Sequence, residues 1–293
     1  MDLSSFLKNT VINQWRLFWL ISIPMSVVMV VEMIGTDLST GPGVSHMIGF
    51  SVRFAVPFIF LVVAASAVHS LLPGPLTTWW LRNRKYLGMC FAVAMAWQGA
   101  FIFMMSNFFR DYYFEDIYLL RDELEGSTGY IFLTAMVVTS FRFGRKHLSH
   151  KQWKLLHRSG IYFLWAYPFS VYWWNLSYYE NPQPNDYFFY SMGFLAFALR
   201  IAAWGKQRLQ AARNHAPESS TPPGFKVAGG TIIAIGLAVA ATGLQWQKAV
   251  TEFLTMPKWS ADLELWLPYW PFEPFLSLFI IGFGTMLYTK SRG

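Results

Sequence analysis

Eight blocks of apolar residues, most of them close to the length of a membrane-crossing helix, divide this chain. They cover 15–34, 47–72, 87–107, 129–141 with a helical lead-in, 155–175, 187–204, 227–247 and 273–289. A helix needs about 20 predominantly apolar residues to cross a hydrocarbon core about 30 Å thick. Only 13% of the residues are charged, against roughly 25% in soluble domains. The pattern predicts an all-α fold, a polytopic membrane helix bundle of about eight transmembrane helices. The fourth block, "GYIFLTAMVVTSF", is short before Arg142. Its helix is therefore expected to begin within the acidic segment 117–128.

The charges supply an independent reading of orientation. Loops on the cytoplasmic side collect Lys and Arg. With both termini cytoplasmic, Arg110, Arg121, Lys248 and Lys258 are the only basic residues in outer segments, and Arg53 lies within a span; the rest of the 23 fall inside. The acidic residues do the reverse: of 16, only Asp2 and Glu218 fall inside. Both termini are thus expected in the cytoplasm, in an integral protein of the bacterial inner (plasma) membrane type.

The net charge of +7 follows from this topology and fits attraction to anionic inner-leaflet lipids. Lipid bilayer is the expected partner. Nucleic acid is not, because the basic residues sit in short loops rather than on one face of a soluble domain. The one cysteine, Cys90, lies inside the third span, so no intrachain disulfide can form. The first span is too long for a signal peptide and lacks a small-residue cleavage site, so it reads as an anchor.

Composition divides the chain further. Residues 1–46 hold the anchor helix and an outer loop, 47–204 an aromatic, Met-rich helical core that makes six spans with that anchor, and 205–226 a polar cytoplasmic linker. Residues 227–293 form a two-helix tail, whose "VAGGTIIAIGLAVAATG" is rich in the small residues that let helices approach in lipid. No segment reads as strand, GxGxxG and helix, and no phosphate-binding loop is present. The chain brings no flavin or nicotinamide site of its own.

Ionisable groups at membrane depth are costly and default to functional candidates. Arg53 is placed to snorkel outward and His69 to sit at the inner interface. Gln98, in mid-span, is suited to bridging helices by hydrogen bonds. No Asp or Glu lies deep in a span, and Glu32 and Glu273 stand at outer ends, which speaks against an ion-coupled carrier. His147 and His150, flanked by lysines, make a poor metal site.

Two stretches carry a family resemblance: "HSLLPGPLTTWWLRNRKYLGMCFAVAMAWQGAFI" (69–102), and "GYIFLTAMVVTSF" continuing to "WKLLHRSGIYFLW" (129–165). A basic turn with Leu-Gly (Arg84-Lys85-Tyr86-Leu87-Gly88) opens the third span. Thr139-Ser140 ends the fourth, and Leu156-His157-Arg158 opens the fifth. In order and spacing this resembles the ferric-reductase-like transmembrane domain, a six-span haem-bearing core, over residues 47–204. The resemblance implies b-type haem held by histidines of the third and fifth spans. It also implies a redox or membrane-subunit partner that supplies electrons from a flavin domain or a quinone.

The chain departs from the family pattern at the ligands. The third-span histidine is replaced by Gln98 and the second fifth-span position by Ser170, leaving His157 as the metal-ligand candidate. Met95, one turn before Gln98, offers a thioether. Arg84 and Arg158 are placed to grip a haem propionate or a lipid headgroup. Three readings stand at this stage. The first is electron transfer through haem b. The second is a haem-free membrane scaffold or partner-binding subunit on the same fold. The third is a small-molecule carrier or lipid-site protein using an aromatic cavity lined by Trp97, Tyr162 and Trp165.

Overall fold

A computed structural model describes residues 3–215, 221–260 and 272–290. It is helical, with no strand among the described residues. The principal helices are α1 (Gln14–Gly35), α2 (Gly41–Leu71), α3 (Pro75–Phe108), α4 (Leu120–Thr139), α5 (His150–Tyr178), α6 (Pro184–His215), α7 (Pro223–Ala241), α8 (Gly243–Leu254) and α9 (Glu273–Tyr288). Each of the eight apolar blocks is mostly helical.

Five of these helices, α1, α2, α3, α6 and α7, are long and apolar enough to cross a membrane. The helices on the other three blocks carry the reasons they fall short. α4 begins with Asp122 and Glu123 in its first turn, α5 dilutes its apolar stretch with Tyr, Trp, Pro168 and Asn175, and α9 has 16 residues. The start of α4 at Leu120 lies in the acidic segment from which the fourth block was expected to grow.

Two boundaries differ from expectation. The block 227–247 is not one helix: α7 stops at Ala241 and α8 starts at Gly243. Thr242, at φ −113° and ψ 27°, ends α7 with its backbone N–H on the Ala238 carbonyl. The Thr242 hydroxyl donates to that same carbonyl at 2.7 Å. α6, in turn, runs to His215 and takes in the first half of the segment read as a linker. "GKQRLQAARNH" is built mostly from good helix formers, and propensity carries the helix past the apolar block.

The chain forms two compact units, Met1–Ala65 with Gly74–Trp165, and Ser66–Pro73 with Ala166–Gly293. In the first, α1 lies along α3. Small polar bridges join them: Ser22 Oγ stands 3.6 Å from Cys90 Sγ, and the Trp97 indole donates to Ser26 Oγ at 3.1 Å. Val44 and Met47 of α2 pack against Phe101 and Met105 of α3, all four essentially buried. Pro75 occupies the first turn of α3, where its missing N–H costs no hydrogen bond.

In the second unit, α7 and α9 meet through glycines. A Cβ on Gly229 would stand 2.5 Å from the Tyr288 backbone nitrogen and 2.7 Å from the Gly284 carbonyl oxygen. One on Gly284 would meet the Gly229 carbonyl oxygen at 2.9 Å. Gly236 is as tightly pressed, against Ile281 and the Ser277 carbonyl. The small residues of the tail therefore serve an intrachain helix seam. In lipid, where apolar burial gives little net drive, close backbone packing is what holds helices together.

Candidate functional site

The three segments of the family-like pattern converge at one end of the first unit. Ser149 caps α5: its N–H donates to Gln152 Oε1 at 2.9 Å, and the Gln152 N–H donates to Ser149 Oγ at 3.3 Å, a reciprocal capping box. The turn between α4 and α5 is pinned by Gly144, whose Cβ would stand 2.4 Å from the Val138 carbonyl oxygen. This geometry sets His157, two turns into α5, against the C-terminus of α4.

His157 Nε2 lies 3.0 Å from Thr139 Oγ1. Thr139 gives its one hydroxyl proton to the Ala135 carbonyl at 2.7 Å. A lone pair then faces the imidazole, which assigns the proton to Nε2 by hydrogen-bond logic. The His157 ring packs on Trp153 with centroids 4.4 Å apart, and the Trp153 indole donates to the Thr139 carbonyl at 3.2 Å. The Arg145 guanidinium stands 5.1 Å from the Trp153 ring centroid. From α3, Lys85 Nζ donates to the Ser140 carbonyl at 2.8 Å and lies 5.4 Å from the Phe141 ring. A cation on the last carbonyls of a helix is a favourable C-terminal partner. Arg84 is half-buried and Arg158 is exposed on α5.

Gln98 and Met95 belong to a second arrangement, between α3 and α4. The Tyr130 hydroxyl lies 2.9 Å from Gln98 Oε1 and 3.1 Å from the Met95 carbonyl oxygen, sharing one proton between two acceptors. Met95 thus enters through its backbone. Ser170 donates to the Tyr167 carbonyl of its own helix at 2.8 Å. Trp97 spends its N–H on Ser26.

The haem that the resemblance implies makes definite demands on this donor set. Low-spin haem b needs two strong axial ligands on facing helices. α3 offers an amide oxygen already bonded to Tyr130, and the second α5 position offers a hydroxyl bonded within its helix. His157 alone is an imidazole, and its Nε2 faces Thr139. The residues present do not supply the bis-histidine pair that the resemblance implies. Among the described residues no cluster of three or more His, Cys, Asp or Glu is arranged for a metal ion.

Sequence reading missed two polar sites. Asn83, fully buried, donates to Asn13 Oδ1 at 2.9 Å and to the Trp79 carbonyl at 3.0 Å, and accepts the Gln14 N–H at 2.8 Å. In the second unit, Glu273 is 1% exposed. Its Oε1 accepts the Thr251 hydroxyl at 2.7 Å and the Tyr178 hydroxyl at 3.4 Å, and Tyr178 and Thr251 bond each other. Glutamate at a helix start was the one available signal.

No family model matches the chain, and no curated protein or solved structure does either.

Proposed function

We propose that this is an eight-span membrane protein with both termini cytoplasmic, and that its ferric-reductase-like core works without haem, as a membrane scaffold or partner-binding subunit. The helix at each apolar block and the one-sided distribution of Lys and Arg support the eight spans and the orientation. The observation that carries the haem-free reading is Gln98. It stands where the family resemblance expects an iron ligand, and its carbonyl oxygen is engaged by Tyr130.

On this reading His157 is a locking residue. It joins α5 to the end of α4 through Thr139 and Trp153. The neighbouring cations, Lys85, Arg145 and Arg158, face the side on which anionic headgroups and cytoplasmic partners are found.

Absorbance of the protein, purified after growth with ample haem, tests the haem-free part of this reading. No Soret band is expected. A Soret band that shifts or vanishes in His157→Ala would overturn the haem-free assignment and restore electron transfer. Thiol labelling tests the orientation, because the one native cysteine is buried. A membrane-impermeant maleimide is expected to label Ser39→Cys in intact cells and to leave Ser149→Cys unlabelled until lysis. The reverse pattern would invert the orientation.

A further inference from the structure

A groove of about 600 Å³ opens between α6, α7 and α9 of the second unit. That volume lies within the roughly 300–1,000 Å³ of sites that take small organic molecules. Its walls are aliphatic: Leu195 and Ala202 from α6, Ile233 and Leu237 from α7, Ile281 from α9. Lys206 and Arg213 line the same groove at one end.

Charge and length together point to one occupant. Leu195 and Lys206 are eleven positions apart on one helix, which at 1.5 Å per residue is about 16 Å. This is about half of the roughly 30 Å hydrocarbon core, the depth of a single leaflet. The groove is therefore apolar over the reach of one acyl chain and basic where a phosphate would stand. Lys206 donates to the Ser70 carbonyl at 2.6 Å, a neutral acceptor that fixes the ammonium without cancelling its charge. Arg213 is exposed, one turn beyond Gln210 on the same lining. Arg208, alongside, is held by Thr289 Oγ1 at 2.9 Å and by the Trp204 ring at 5.0 Å, so the basic end is ordered.

We propose that this groove binds an anionic phospholipid of the cytoplasmic leaflet, with an acyl chain along α6 and the phosphate between Lys206 and Arg213. Basic pockets between helices on the cytoplasmic side are the usual seats of such headgroups. The proposal rests on the membrane orientation given above and is independent of the haem question.

The test is native mass spectrometry of the full chain released from neutral detergent, offered phosphatidylglycerol or phosphatidylcholine at equal concentration. Phosphatidylglycerol is expected to be retained at least about fivefold more strongly, the factor that one basic contact supplies. Lys206→Gln with Arg213→Gln should reduce the preference below about twofold. Leu237→Trp, which fills the groove, should lower retention of both lipids. Helicity by circular dichroism checks that each variant folds, and the Leu237 variant keeps the test open if the charge variant does not. Equal retention of the two lipids, or a preference that survives the double substitution, would overturn the proposal. So would a lipid-free dimer, which would assign the groove to a second copy of the chain. Inverted thiol labelling with an intact phosphatidylglycerol preference would fault the orientation and leave the lipid site standing.

Discussion

Asn83 Oδ1 accepts the backbone N–H of Gln14 at 2.8 Å, and Gln14 has φ +58°, the one positive φ outside glycine among the described residues. A left-handed backbone at a residue with a Cβ costs on the order of 1 kcal/mol or more and persists only where surroundings enforce it. The enforcing group is a fully buried amide whose NH₂ is also spent, on Asn13 and Trp79. Arg82 joins the latch, donating to the Leu7 carbonyl and to Asn13 Oδ1. The start of α1 is thus tied to α3 beside the basic turn that marks the family resemblance.

Removing that amide should be felt across the first unit. Asn83→Ala leaves the Gln14 N–H without its partner and is expected to cost about 1–3 kcal/mol. Thermal unfolding in detergent measures the loss, and hydrogen exchange should show the Gln14 amide released first. An unchanged midpoint would show that Asn83 does not hold the turn.

The Tyr130–Gln98 bond offers a cleaner energetic test, because it crosses between two helices. Interhelical side-chain bonds in membranes average about 0.6 kcal/mol and reach about 1.7. A double-mutant cycle of Tyr130→Phe and Gln98→Ala should return a coupling in that range. Coupling indistinguishable from zero would remove the pair from the account of why Gln98 occupies its position.

Two adjacent glycines separate packing from propensity. Gly229→Ala would drive a methyl into the backbone of α9 and should destabilise by about 1–3 kcal/mol. At Gly230 a methyl would find nothing within 4 Å, so Gly230→Ala should be neutral or stabilise by up to about 1 kcal/mol through backbone entropy. Limited proteolysis of the tail reads both. Equal sensitivity of the two variants would contradict the seam.

Alkaline pH should act on the polar turn before α4. Burial and the neighbouring Glu123 carboxylate, which accepts the Tyr113 hydroxyl, push the Tyr113 phenol up to about 12. A raised folded value favours the protonated phenol. Its contribution to stability is complete below the ordinary value of about 10 and is lost as pH rises from there through 12. The difference in phenolate absorbance between the native protein and Tyr113→Phe should show this late titration. Glu123→Gln should move it to lower pH.

The helices were legible because a run of about 20 apolar residues leaves a chain few alternatives, and five of them are long and apolar enough to cross a membrane. The stop at Thr242 was not, since neither a proline nor a charge marks it between Ala241 and Gln247. Just past the break Gly243 packs on a ring from far along the chain: a Cβ there would stand 2.6 Å from Trp173. The grouping of Lys85, Ser140, Thr139 and His157 could be anticipated from the family-like segments. Their role in locking a turn could not, because it depends on which carbonyl each donor reaches. Asn83 was hidden inside a basic cluster, where an amide has no periodic signature. Glu273 was visible, but its partners Thr251 and Tyr178 are 22 and 95 positions away.

The glycine seam also fixes an order of events during synthesis. α9 leaves the ribosome after α7, so the backbone surface of Gly229 and Gly236 first meets lipid, or the insertion machinery, with its eventual neighbour still unmade. Maturation of this part of the molecule is therefore paced by arrival of the later helix, and a chain stalled in between would present a helix with one bare face to whatever small-residue helix is nearby.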